Sequence, residues 1–138
     1  MDNPVTDEYG TTIWRNAVGI RHRDDGPAVE HADGDTWWYQ HGYRHRDDGP
    51  AVIYTSGDKE WWQHGSRHRD EGPAVIYVDG YKRWYQNGKK HRDDGPAVTY
   101  ADGDKEWWLD GQELSFDKWL DALDISEEAK VMMKLKYG

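Results

Sequence analysis

Histidine, arginine and aspartate stand together four times in this chain, as His22-Arg23-Asp24, His45-Arg46-Asp47, His68-Arg69-Asp70 and His91-Arg92-Asp93. Residues of these types could move protons, grip a carboxylate or phosphate, or ligate a metal. A reactive constellation is built at one place, whereas this one returns every 23 residues, within an octet typified by His45-Arg46-Asp47-Asp48-Gly49-Pro50-Ala51-Val52. Gly34, Gly57, Gly80 and Gly103 keep the same step, as do Trp38, Trp61, Trp84 and Trp107, with no insertion between Gly19 and Gly111. A short fixed period marks a repeat array.

The triplet also occurs in the catalytic loop of protein kinases, but the chain has neither the Gly-rich loop nor the Asp-Phe-Gly that such a site needs. A histidine metal ladder fails on distance. Equivalent residues of neighbouring hairpins lie two strands apart, ~9–10 Å at the usual ~4.8 Å spacing, too far to share a zinc ion at ~2.1 Å bonds. Asp-Gly-Asp stretches such as Asp33-Gly34-Asp35 lack the loop length and terminal bidentate Glu of a calcium loop. No Ser/His/Asp, paired-carboxylate or phosphate-loop arrangement stands apart from the repeat. The expectation is therefore a non-enzyme with no catalytic residue, no metal site and no cofactor. His22, His45, His68, His91, Arg46 and Asp48 are read as structural: Asp capping backbone N–H groups, Arg and His pairing with acids of the next repeat.

The elements that would position these residues follow from the rest of the period. Asp79-Gly80 lies between short runs rich in Val, Ile, Tyr and Trp, and Asp33-Gly34, Ser56-Gly57 and Asp102-Gly103 stand in the same place, so each unit reads as a β-hairpin. A two-residue turn would set Tyr54 against Lys59, Ile53 against Glu60, Val52 against Trp61 and Ala51 against Trp62. One face would then carry a valine column beside Trp38, Trp61, Trp84 and Trp107, expected to be the more buried. The other face would carry Tyr39, Trp62, Tyr85 and Trp108. The octet becomes the connector between hairpins, its Pro at a strand start and the preceding Gly at positive φ.

The predicted fold class is mainly β: an elongated, twisted antiparallel sheet of hairpin repeats with a C-terminal two-helix cap. Residues 1–8 read as a disordered lead, residues 9–111 as a half-repeat plus four full units, and residues 112–138 as the helical cap. Ser115 and Ser126 suit N-caps. Phe116, Trp119, Leu120 and Leu123 form one apolar stripe, and Val131, Met132 and Leu135 another. The tail reads as a lid over the last hairpin, whose open edge would otherwise invite aggregation.

Bulk composition narrows the partners. A net charge of -9 opposes binding to nucleic acid or to an anionic membrane. There is no Cys, hence no disulfide or thiolate site. Residues 1–8 are polar and acidic and no long apolar run occurs, which implies a cytoplasmic protein of the producing or infected cell. Nine Trp and nine Tyr against one Phe make aromatics the main source of buried apolar area.

Trp84-Tyr85-Gln86-Asn87-Gly88-Lys89-Lys90-His91 followed by Tyr100-Ala101-Asp102-Gly103 resembles the MORN repeat (membrane occupation and recognition nexus), which repeats at this length. The resemblance covers Gly10 to about Gly111. It departs at the His-Arg-Asp-Asp-Gly-Pro block, where the common repeat has a His-Gly-x-Gly type of step. That variant with a helical tail is similar to small repeat proteins of bacteria, phages and large viruses, some labelled antitoxin-like. The resemblance implies an antiparallel hairpin sheet and a scaffold or binding role.

The leading functional expectation is a repeat module that binds a protein partner through an aromatic, acidic sheet face, with Tyr39, Trp62, Tyr85, Trp108, Trp37 and Glu60 as binding residues. An inhibitor of the phage counter-defence or toxin-immunity type is one form of this. Alternatives are small-ligand or carbohydrate/choline-type binding through the aromatic ladder, and a structural scaffold that forms homo-oligomers through an uncovered sheet face.

Overall fold

The structure, a computed structural model, describes residues 3–138. Met1 and Asp2, part of the span read as a disordered lead, lie outside the described residues. Within the rest of that lead a first strand forms, β1 (Val5–Thr6), paired with β2 (Thr12–Ile13). The array continues as β3 (Val29–Glu30), β4 (Thr36–Trp37), β5 (Tyr39–Gln40), β6 (Tyr43–Arg44), β7 (Val52–Ile53) and β8 (Lys59–Glu60). Next come β9 (Trp62–Gln63), β10 (Ser66–Arg67), β11 (Val75–Ile76), β12 (Lys82–Arg83), β13 (Tyr85–Gln86) and β14 (Lys89–Lys90). The last strands are β15 (Val98–Thr99), β16 (Lys105–Leu109) and β17 (Gln112–Leu114), followed by α1 (Phe116–Ala122) and α2 (Glu127–Tyr137).

The fold is mainly β and antiparallel. Eleven strands make one sheet in the order β1-β2-β3-β4-β7-β8-β11-β12-β15-β16-β17, while β5–β6, β9–β10 and β13–β14 are separate two-stranded hairpins. Each repeat therefore contributes a main hairpin and a small one. Trp38, Trp61 and Trp84 stand at the break between them, outside either strand. The Trp61 N–H crosses to the Ala74 carbonyl at 2.7 Å, and its own carbonyl accepts the His68 N–H at 3.1 Å. The backbone of this corner is thus satisfied although it leaves the ladder.

The register differs from the expected one by a single residue. Val52 pairs with Glu60 and Ile53 with Lys59. The cause is the turn. The Gly57 N–H donates to Tyr54 O at 2.9 Å, the Tyr54 N–H donates to Asp58 O at 3.0 Å, and Gly57 has φ 98°. Three residues, not two, close the loop, with the left-handed glycine last. A one-residue slip moves every side chain to the opposite face. The valine ladder consequently shares its face with Trp37, Glu60, Arg83 and Glu106, and not with Trp38, Trp61, Trp84 and Trp107.

The valine half of the burial expectation holds: Val29, Val52, Val75 and Val98 are 0–2 % exposed, beside the fully buried Ala28, Ala51, Ala74 and Ala97. The small hairpins cover them. Tyr39 of β5 packs on Ala28 and Val29, with Ile13 and Trp37 alongside, and Tyr85 of β13 packs on Ala74 and Val75. Burying a valine side chain contributes at the lower end of about 1.5–3 kcal/mol, so this ladder is a leading apolar contribution.

At the C-terminal end the corner disappears, and β16 runs straight through Trp107 to pair with β17. Ser115 caps α1 by accepting the Lys118 N–H at 3.2 Å, and Ser126 caps α2 by accepting the Ala129 N–H at 3.1 Å. Trp119, Leu120 and Leu123 are buried with Trp107, and Phe116 packs against them. The second stripe does not pack as expected: α2 docks through Met133 and Tyr137, leaving Val131, Met132 and Leu135 at 53 %, 65 % and 77 % exposure.

Candidate functional site

Each octet is a connector that locks onto chain far from it in sequence. The His45 Nδ1 accepts the backbone N–H of His64 at 3.0 Å, while Nε2 lies 2.8 Å from Asp47 Oδ1. An accepting Nδ1 places the proton of the neutral ring on Nε2, where it donates to the carboxylate. His22 and His68 repeat both contacts, using His41 and Asp24, and Asn87 and Asp70. His91 accepts from the Asp110 N–H at 3.0 Å. The donors His41, His64, Asn87 and Asp110 all hold φ of 49–51°, a left-handed conformation that costs a non-glycine residue free energy and that each histidine contact helps to offset.

The arginines and histidines were both expected to pair with acids of the next repeat. Both find those acids mainly within their own connector instead. The Arg46 guanidinium lies 3.8 Å from the Trp38 ring centre, its Nη1 donates to the Pro50 carbonyl at 3.2 Å, and its Nε donates to Asp48 at 3.1 Å. Arg23 over Trp14, Arg69 over Trp61 and Arg92 over Trp84 repeat the stack at 4.0, 3.9 and 4.1 Å. The octet glycine is also explained differently than expected. Gly72 has positive φ, but Gly26, Gly49 and Gly95 do not. A Cβ on Gly49 would lie 3.0 Å from the Arg46 guanidinium carbon, so a side chain there would push the arginine from its stack on Trp38. The link to the following unit comes from Gln63, whose Nε2 donates to the Arg46 carbonyl at 2.8 Å; Gln40 and Gln86 do the same for Arg23 and Arg69.

Successive connectors stand as walls, and grooves lie between them. One, of about 960 Å³, has Trp61, Gln63 and His64 among its lining, with Asp47 and Asp48 from one connector and Asp70 and Glu71 from the next. A second of about 660 Å³ repeats the arrangement around Trp84, between Asp70–Glu71 and Asp93–Asp94. A third of about 420 Å³ is lined by Trp14, Arg23, Asp24 and Asp25. The acids are free to meet solvent, with side chains of Asp47, Asp48, Asp70 and Asp94 75–86 % exposed. In the groove at Trp61 four carboxylates face two guanidiniums, so its field is negative.

The residues expected to form an open aromatic strip lie elsewhere and in a different state. Tyr39, Tyr85 and Glu60 are buried, and Trp37, Trp62 and Trp108 are half-buried. They alternate with cations. Arg44 lies 4.9 and 5.0 Å from the Trp37 and Trp62 rings, Arg67 lies 5.3 and 5.5 Å from Trp62 and Tyr85, and Lys90 lies 4.5 Å from Trp108. Glu60 accepts from Arg67 Nε at 2.8 Å and from the Tyr54 hydroxyl at 3.2 Å. Burial and then the Glu60 charge push the Tyr54 hydroxyl up. Burial lowers Arg67, but the Glu60 hydrogen bond and charge outweigh it and leave it raised. This strip fastens the small hairpins to the main sheet, and its ring faces are already occupied.

The grooves and the arginine stacks are what the sequence reading missed. A signal was present: Arg follows Trp by eight residues in Trp38/Arg46, Trp61/Arg69 and Trp84/Arg92, and Gln40, Gln63 and Gln86 keep the repeat step. Among the described residues no group of three or more His, Cys, Asp and Glu side chains converges to hold a metal ion, and no helix is long and apolar enough to cross a membrane. No protein-family model matches this chain, and no curated protein does so either.

Proposed function

We propose that this chain is a non-enzymatic repeat module that binds a protein partner, and that the partner presents a basic, extended segment to the connector face. The observation that carries the reading is a pair of grooves one repeat step apart, each with a Trp in its lining and exposed carboxylates on its rim, with a smaller one beside Trp14. A carboxylate rim attracts Lys and Arg; Arg69 and Arg92 already stack on the Trp61 and Trp84 indoles at 3.9 and 4.1 Å, so the rim carboxylates supply the recognition. Equivalent positions are two strands apart, ~9.6 Å at ~4.8 Å per strand. Three residues of polyproline II rise ~9.3 Å. A segment with Lys or Arg at every third residue would place one cation in each groove. Occupying a partner's basic surface is the form of inhibition this supports.

Titrating Trp fluorescence with a peptide carrying Arg at every third position, at low salt, should give a saturable change that weakens as salt rises. Replacing Asp47, Asp48 and Asp70 by Asn and Glu71 by Gln should weaken binding at least tenfold, whereas Trp62→Ala should not. Exposed carboxylates contribute little to folding, so the quadruple variant should melt like the parent. A flat titration, or a quadruple variant that binds as the parent does, would sink the proposal. A response to choline alone would point to small-cation recognition in the same grooves.

A further inference from the structure

The outer face of α2 carries an apolar stripe that nothing among the described residues covers. Val131, Met132 and Leu135 are more than half exposed, while Met133 and Tyr137 on the opposite side hold the helix to the Trp107 cluster. The charges beside the stripe are arranged by sign. Glu127 and Lys134 sit on one flank, seven residues or two helical turns apart, the acid in the first turn and the base in the last. We infer that this face is a self-association surface, on which α2 of a second copy lies antiparallel across a two-fold axis.

Flank charges choose the orientation. In an antiparallel helix pair, like flanks meet. A crossing centred between Lys130 and Val131 brings Glu127 to Lys134 of the second copy and Lys134 to its Glu127, so one chemistry is used twice, as an isologous interface requires. A parallel pairing would instead set Glu128, at the N-terminal end of the stripe, against its own copy and would form neither pair. α2 spans about 16 Å at ~1.5 Å per residue. A contact of that length belongs to the small interface class, below ~1,200 Å² in total, and is weak. The dimer therefore forms at high protein concentration and presents two connector faces. Its formation is independent of what those faces bind.

Sedimentation equilibrium of the intact chain, from ~10 μM to ~1 mM, tests this at the concentrations a contact of this size requires. The weight-average mass should rise from monomer toward dimer, and Leu135→Glu should hold it at monomer. Glu127→Lys and Lys134→Glu should each weaken association about tenfold at low salt, and the double variant should restore it. Circular dichroism verifies that each variant keeps its helices. A chain that stays monomeric at ~1 mM, or a dimer indifferent to Leu135→Glu or to the charge exchange, overturns the inference. Rescue by the double variant is a result that a purely structural role for these residues would not produce.

Discussion

At His45 the tautomer, the turn conformation and the tie between units are one contact. Replacing His45 by Ala leaves the His64 N–H, at φ 49°, without its acceptor. His64 is exposed and its N–H can turn to water, so chemical denaturation should show the loss of one ordinary hydrogen bond, about 1 kcal/mol. Asp47→Asn, on a side chain 85 % exposed, should cost less than about 0.5 kcal/mol. Nitrogen chemical shifts should place the proton of His45 on Nε2. The second residue-scale prediction concerns Glu106. Burial raises its carboxyl, but hydrogen bonds from Tyr100 and Trp108 and the Lys90 charge more than offset this, so it is held below its ordinary 4.5. A depressed carboxylate stabilises the fold fully above that ordinary value, and the contribution is lost as pH falls through the folded-state value. Unfolding free energy should therefore fall less steeply below pH 4.5 in Glu106→Gln than in the parent. The structural character of His, Arg and Asp was legible in their recurrence. Their partners were not, because His64 lies 19 residues after His45 and Trp38 eight before Arg46, distances that folding alone closes.

At the scale of elements, the hairpins were legible and their register was not. Ser56-Gly57 and Asp79-Gly80 mark a turn in either reading, but local sequence does not separate a two-residue loop from a three-residue loop with the same terminal glycine. The choice is settled by what each register buries. In the observed one Val52 meets Glu60, whose charge Arg67 of the covering hairpin neutralises and to which Tyr54 of the main hairpin donates, so a strand position that looks solvent-facing can sit on the buried side. The turn can be tested directly. Gly57 and Gly103 hold φ of 98° and 94°, yet a Cβ on Gly57 would lie 2.7 Å from Val78 Cγ1, whereas one on Gly103 meets nothing within 4 Å. Gly103→Ala should lose about 1 kcal/mol from backbone strain alone. Gly57→Ala should lose clearly more in the same denaturation assay, unless Val78, itself 66 % exposed, turns aside.

Across the whole molecule, the array ends by substituting one group for another. Trp119 Nε1 donates to the Arg92 carbonyl at 2.8 Å, the place Gln63 takes at Arg46, and its ring lies 4.5 Å from Trp107. With Ser115 where the eighth residue after Trp107 would be Arg, aromatic packing replaces the cation stack. Removing residues 46–68, one full period, joins His45 to Arg69 in register and should leave a shorter chain that melts cooperatively, because each unit contacts chiefly its neighbours. Removing residues 112–138 uncovers Trp107 and the edge of β16, and should produce loss of the cooperative melt or aggregation in light scattering. Sequence alone determined the hairpin array, its period, the connectors and the helical end, since period, turn residues and N-caps are local properties that each copy repeats. Only the tertiary structure decided which face is covered, that the aromatic strip is taken up by its own arginines and lysines, and that grooves open between connectors. Those outcomes depend on a one-residue register and on a corner at each Trp, and both are chosen by the packing of residues from different units, which no single repeat contains.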